Sequence, residues 1–110
     1  MQITKPAPTV FGTGAARMCD DGFEMPKALR EVQPKYTRRA MEEKARGIVN
    51  TQVIVGADGW VEDARVIRRL HPDLDRAALA TLQHWHFEPG RLHGAAVRSL
   101  ITIEFTFTLR

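Results

Sequence analysis

The sequence predicts an α+β protein, a two-layer sandwich in which two helices cover one face of a small antiparallel sheet of about three strands. Three observations predict it. From Leu100 to Leu109, apolar Ile101, Ile103, Phe105, Phe107 and Leu109 alternate with Thr102, Glu104, Thr106 and Thr108. A period of two belongs to a strand with one buried and one polar face. Asp58-Gly59 separates two runs rich in β-branched residues, and Asp-Gly suits a hairpin turn that needs positive φ. Leu74, Ala77, Ala78, Leu82 and Trp85 form one apolar stripe at helical spacing. The predicted order is helix, strand, strand, helix, strand.

The elements follow along the chain. Residues 1–25 read as an irregular arm or linker, because Pro6, Pro8, Gly12, Gly14 and Gly22 break any period and Asp20-Asp21-Gly22 marks a turn. Residues 26–110 form the domain. Residues 26–33, bounded by Pro26 and Pro34, are either extended or a single helical turn, and Pro34 disfavours helix at Gln33. Thr37 caps a helix that runs to Arg46, with Gly47 at its left-handed C-terminal cap. Ile48 to Val55 and Trp60 to Ile67 are the hairpin strands; Asp63 and Arg65 in the second imply a wet face or a bulge. Asp73 is the expected N-cap of the second helix, and Glu88-Pro89-Gly90 closes that part of the chain.

Size and composition exclude several classes. The chain has 110 residues, 44% hydrophobic and 26% charged. That suffices for one compact core, not for separate cofactor and substrate domains. No run approaches the roughly 18–20 apolar residues of a membrane span. Met1 to Pro6 lacks the apolar core of a signal peptide, so an exported protein would carry its targeting or anchoring segment outside this chain. The formal net charge is +3, and residues 27–46 concentrate it, with seven Lys/Arg against three Glu. Only Tyr36 interleaves with those basic residues, so the run reads as a solvated face rather than a nucleic-acid reader.

No catalytic constellation emerges. Cys19 is the single cysteine, reads as an inert thiol in the arm and has no identifiable base. His84-Trp85-His86 is a His-x-His pair, and His71 and His93 lie apart from it. Zinc needs three or four ligands, and no carboxylate joins them in a ligand motif, so neither metal nor cofactor is assigned. Ser99 lacks a nucleophile elbow, and Gly12-x-Gly14 lacks the strand-loop-helix setting of a phosphate site. The chain reads as a binding module rather than an enzyme. Its terminal strand is the candidate surface: an edge strand offers unpaired N–H and C=O groups to a further strand. The alternatives are a central position for that strand, or an edge covered by the N-terminal arm.

The motifs, taken in order, resemble the TonB C-terminal domain family. They are Gln33-Pro34-Lys35-Tyr36 before the first helix, Gly47-Ile48-Val49 opening the first strand, and Ala57-Asp58-Gly59-Trp60-Val61 at the hairpin. Leu74-Asp75-Arg76-Ala77-Ala78, Trp85-His86-Phe87-Glu88-Pro89 and Gly94 follow, leading into the alternating strand. The resemblance spans about residues 25–110. Thr37 stands where the family motif often carries a second proline.

The resemblance implies a periplasmic domain tethered to the inner membrane, working with ExbB and ExbD through a segment absent from this chain. It implies that the domain grips the TonB box of outer-membrane transporters by strand addition and relays energy derived from proton-motive force for nutrient uptake. By carry-over, Gln33 lies near the bound box, and the final strand supplies the pairing edge through Leu100, Thr102, Glu104, Thr106 and Thr108. Pro34, Tyr36, Gly47, Asp58, Gly59, Trp85, Phe87 and Pro89 are then structural. The alternative function is a self-associating (homodimeric) or repurposed peptide-binding envelope domain without a transport role.

Overall fold

In the computed structural model, residues 15–17 and 20–109 are described. Cys19 lies outside them. The main sheet is antiparallel, with β4 (Val61–Arg68) and β8 (Ser99–Phe107) flanking β3 (Gly47–Val55). Helices α1 (Arg38–Glu42) and α2 (Pro72–Leu82) supply Ala40, Leu74, Ala78 and Leu82 to a core shared with Val49, Val53 and Val55 of β3 and Ile101, Phe105 and Phe107 of β8. The expected two-layer α+β architecture is therefore present.

The ladder between β3 and β8 runs unbroken from Gly47↔Phe107 to Val55↔Ser99. Odd-numbered residues of both strands face the helices, so the period of two in the sequence becomes one largely apolar face. The two hydroxyls within it, on fully buried Thr51 and Ser99, donate to the Ile103 carbonyl at 2.8 Å and the Val97 carbonyl at 3.3 Å, which removes the cost of burying them unpaired. The β3–β4 register shifts at Asn50/Thr51 and at Ile54/Val55. Between the shifts Ala64 and Val66 lie opposite Val53 and Thr51 on the core face, while Arg65 turns to the other face and donates to Gln52 Oε1; the shift at Ile54/Val55 sets Val61, not Glu62, opposite Val55. β4 starts at Val61 rather than Trp60, because Trp60 bridges His86 and stacks on its ring at 4.2 Å.

The hairpin turn has the expected residues. Gly59 takes φ +88°, and its own N–H donates to Gly56. Its carbonyl accepts from the Phe87 N–H at 2.9 Å, and a Cβ at Gly59 would sit 2.0 Å from the Phe87 carbonyl oxygen. Glycine is thus required twice, by conformation and by close approach.

Several boundaries differ from the sequence reading. The first helix is one turn and a half, not Thr37–Arg46. Thr37 does cap it, its hydroxyl accepting from the Ala40 N–H. The chain then leaves the helix at Lys44, φ +55°, with Lys44 N–H bonded to Met41 and Ala45 N–H to Ala40. That bond pair satisfies the last carbonyls one turn earlier than Gly47 could. The Tyr36 hydroxyl donates to the Ala45 carbonyl and fixes the exit. Gly47 is instead the first residue of β3, placed where a side chain would press within 3.0 Å of Leu70.

The N-cap of α2 is His71, not Asp73. Its Nδ1 accepts from the Asp73 N–H at 3.1 Å, and Pro72 fills the first helical position. The Asp73 carboxylate is engaged by Thr37 and Arg76. β8 ends at Phe107, two residues before Leu109.

Five short strands were not separated in the sequence. β2 (Lys27–Arg30) pairs with β5 (His86–Glu88), which resolves residues 26–33 as extended. β1 (Phe23–Glu24), β6 (Gly90–Leu92) and β7 (Ala95–Val97) form a small antiparallel sheet. The turn at 20–22 is present, with Gly22 at φ +74°. No helix among the described residues is long and apolar enough to cross a membrane.

Candidate functional site

The terminal strand lies at an edge. In the main sheet β8 pairs on one side with β3, and on the other side, among the described residues, only Ala16 bridges it, at Ser99. Within a strand, N–H and C=O groups of successive residues point alternately to the two sides. One contact fixes the parity: Ala16 N–H donates to the Arg98 carbonyl and Leu100 N–H donates to the Ala16 carbonyl, both at 2.8 Å. The even-numbered residues therefore present their backbone outward. Outward groups thus belong to Leu100, Thr102, Glu104 and Thr106, and those of Ile101, Ile103, Phe105 and Phe107 turn to β3.

The same even residues carry the polar side chains. Thr102, Glu104 and Thr106 are exposed, opposite Gln52, Asn50 and Ile48, while Leu100 is half-buried opposite Ile54. That face is not polar throughout, since Ile54 is 2% exposed. Thr108 is exposed but lies past the end of β8. The edge is thus a run of outward backbone groups from Leu100 to Thr106, flanked by small or polar side chains.

Gln33 is elsewhere. It lines a groove of about 260 Å³ with Pro34 and with Ala77, Ala80, Thr81 and His84 on the helical side. The Gln33 groove is on the side of the sheet opposite to Thr102, Glu104 and Thr106. What positions it is the Val32 carbonyl, which accepts both the Thr81 hydroxyl at 2.7 Å and Trp85 Nε1–H at 2.9 Å. Trp85 is 7% exposed, edge-on to Phe105 and tilted against Phe87. Tyr36 meets Phe107 edge-on at 5.5 Å. Trp85, Phe87 and Tyr36 hence pack the extended segment before α1 onto the back of β8.

The end of α1 is tied to the start of α2. His71 Nε2 lies 2.8 Å from Glu43 Oε1, and because its Nδ1 accepts from Asp73, Nε2 is the donor. The hydrogen bond from His71, then that from Arg39, holds the Glu43 carboxyl below the usual carboxylate range. His84 lies in the groove and His86 under Trp60, so the His-x-His pair is divided between two settings. Among the described residues no group of three or more His, Cys, Asp or Glu could hold a metal ion.

Sequence reasoning offered the N-terminal arm as a cover for the edge, and Ala16 of that arm does touch it at Ser99, but through backbone alone, which leaves no side-chain signal for the residue itself. Sequence reasoning missed Thr81, whose hydroxyl sits in a helix and reveals its partner only in three dimensions.

Comparison with known proteins gives the same fold and a family. The model of the Gram-negative bacterial TonB protein C-terminal family matches residues 32–109. Protein TonB of Klebsiella pneumoniae is 26% identical over 91 residues, covering 80% of this chain and 37% of that protein. Protein TonB of Klebsiella aerogenes is 31% identical over 67 residues, 60% of this chain and 28% of that protein. The chain thus spans well under half the length of these relatives. A solution NMR structure of the Pseudomonas aeruginosa TonB CTD superposes with a TM-score of 0.62 at 28% identity, covering 86% of this chain and 94% of that one.

Proposed function

We propose, from the premise that this chain belongs to the Gram-negative TonB C-terminal family, that it is the receptor-gripping domain of an energy transducer. The carrying observation is the outer edge of β8, where among the described residues Ala16 alone pairs, at the Ser99 end. An extended TonB box of an outer-membrane transporter adds there as a fourth strand, bonded to the outward groups of Leu100, Thr102, Glu104 and Thr106. Recognition is mainly through the main chain, in keeping with small and polar side chains along the strip. The domain acts in the periplasm, linked through a longer protein to the inner membrane and to ExbB and ExbD. There it passes on energy from proton-motive force so that the transporter admits its nutrient. It serves as an interaction domain without a catalytic step.

Amide NMR tests the reading. A synthetic TonB-box peptide added to the labelled chain is expected to shift the Leu100, Thr102, Glu104 and Thr106 amides in a saturable way. An unchanged spectrum at millimolar peptide refutes strand addition for that receptor.

A further inference from the structure

We propose that the chain carries its own competitor for the β8 edge, the segment Ala15–Arg17; the proposal rests on the strand-addition reading above. Ala16 bridges Ser99 in parallel orientation. Its N–H and C=O occupy the Arg98 carbonyl and the Leu100 N–H, the first outward groups of the strip. Ala15 and Ala16 are 9% and 8% exposed, so the contact is packed as well as hydrogen-bonded.

The segment is held close. Arg17 N–H donates to Asp20 Oδ2 at 2.8 Å and the Asp20 N–H returns to the Arg17 carbonyl, closing a turn. Phe23 and Glu24 then pair with Leu92 and Arg91 in the small sheet. A short tether of this kind gives a high effective concentration at the edge. The pairing with the strand is nonetheless short, two backbone bonds of one residue flanked by methyl side chains.

A partner strand that pairs from Leu100 to Thr106 needs the Leu100 N–H, and therefore releases Ala16. Binding is thus coupled to departure of the arm, and an arm that cannot pair leaves the edge more available. Losing one of these bonds corresponds to a gain of roughly two- to tenfold in peptide affinity.

The experiment uses the whole chain and its Ala16→Pro variant, which lacks the N–H donated to Arg98. Both are titrated with a TonB-box peptide, and amide hydrogen exchange is followed. Without peptide, the unmodified chain is expected to protect Ala16 and Leu100 while Thr102, Glu104 and Thr106 exchange fast. With peptide, Thr102 to Thr106 become protected, Ala16 loses protection, and Ala16→Pro binds more tightly. Equal affinity of both proteins, or peptide protection with the Ala16 amide still protected, overturns the competitor proposal alone. No protection by peptide in either protein overturns the strand-addition reading and the competitor with it. The exchange pattern of the unmodified chain decides the matter even if the proline variant misfolds.

Discussion

Two donors converge on the Val32 carbonyl, and their removal should be strongly non-additive. In Trp85→Phe the indole N–H is lost but most of the ring contact with Phe87 and Phe105 is kept; in Thr81→Val the hydroxyl is exchanged for a methyl of similar size. Either variant leaves the carbonyl one donor. Thr81→Val is then expected to cost about 0.5–1.5 kcal/mol, the net value of one hydrogen bond. Trp85→Phe is expected to cost about 1.5–3 kcal/mol, because the smaller ring also leaves space beside a residue 7% exposed. The double variant orphans a half-buried acceptor, which adds roughly 1–2 kcal/mol beyond the sum. Urea denaturation of the four proteins at one pH measures the coupling. In a thermal melt each kcal/mol corresponds to about 4 °C for a domain of this size. Additivity within about 0.3 kcal/mol would show that the shared acceptor does not anchor the segment before α1.

Four further outcomes are expected. Gly59→Ala should destabilise by roughly 2–4 kcal/mol, since a Cβ there combines positive φ with a clash on the Phe87 carbonyl; a melting temperature within a degree of the parent would contradict that packing. Glu43, whose folded-state pKa is depressed, adds stability that is present above its unfolded-state pKa and lost as pH falls through the folded value. Glu43→Gln should therefore lower the urea midpoint near neutral pH and converge with the parent in acid; a constant gap across the acid limb would count against the His71 and Arg39 contacts. Ile103→Pro should unfold or severely weaken the sheet, because residue 103 turns its backbone to β3. Glu104→Pro loses an outward N–H and should keep a folded spectrum while abolishing peptide binding; a folded variant that still binds would remove residue 104 from the strip.

Much of the fold was legible because three of its elements bury a continuous face. Alternation in β8, the stripe of α2 and Asp-Gly at the hairpin each repeat a local rule over many residues or satisfy a strict conformational need. The short strands were not legible. A run such as Lys27–Arg30 is exposed along its whole length and pairs only because Trp85 and Thr81 draw the following segment down. Helix caps misled for a related reason. Asp73 has the better chemistry for an N-cap, but Pro72 fixes the first helical residue and leaves the cap to His71. Glycine at 47 suggested a helix end, whereas tight packing on Leu70 is what its missing side chain serves. Of the candidate site, the polar strip could be read from alternation. Its place at a sheet edge could not, since pairing partners are a property of topology.

The parity of β8 separates two kinds of mutational load. Residues whose side chains hold the core turn their backbone to β3, and residues whose backbone faces outward send their side chains to the opposite face of the sheet. Drift at 102, 104 or 106 can retune solubility, charge or side-chain preference for a new partner with little debt in folding. Drift at 101, 103, 105 or 107 is screened by stability before any partner is met. A chain built this way can follow a changing set of partners through successive substitutions while its scaffold stays still.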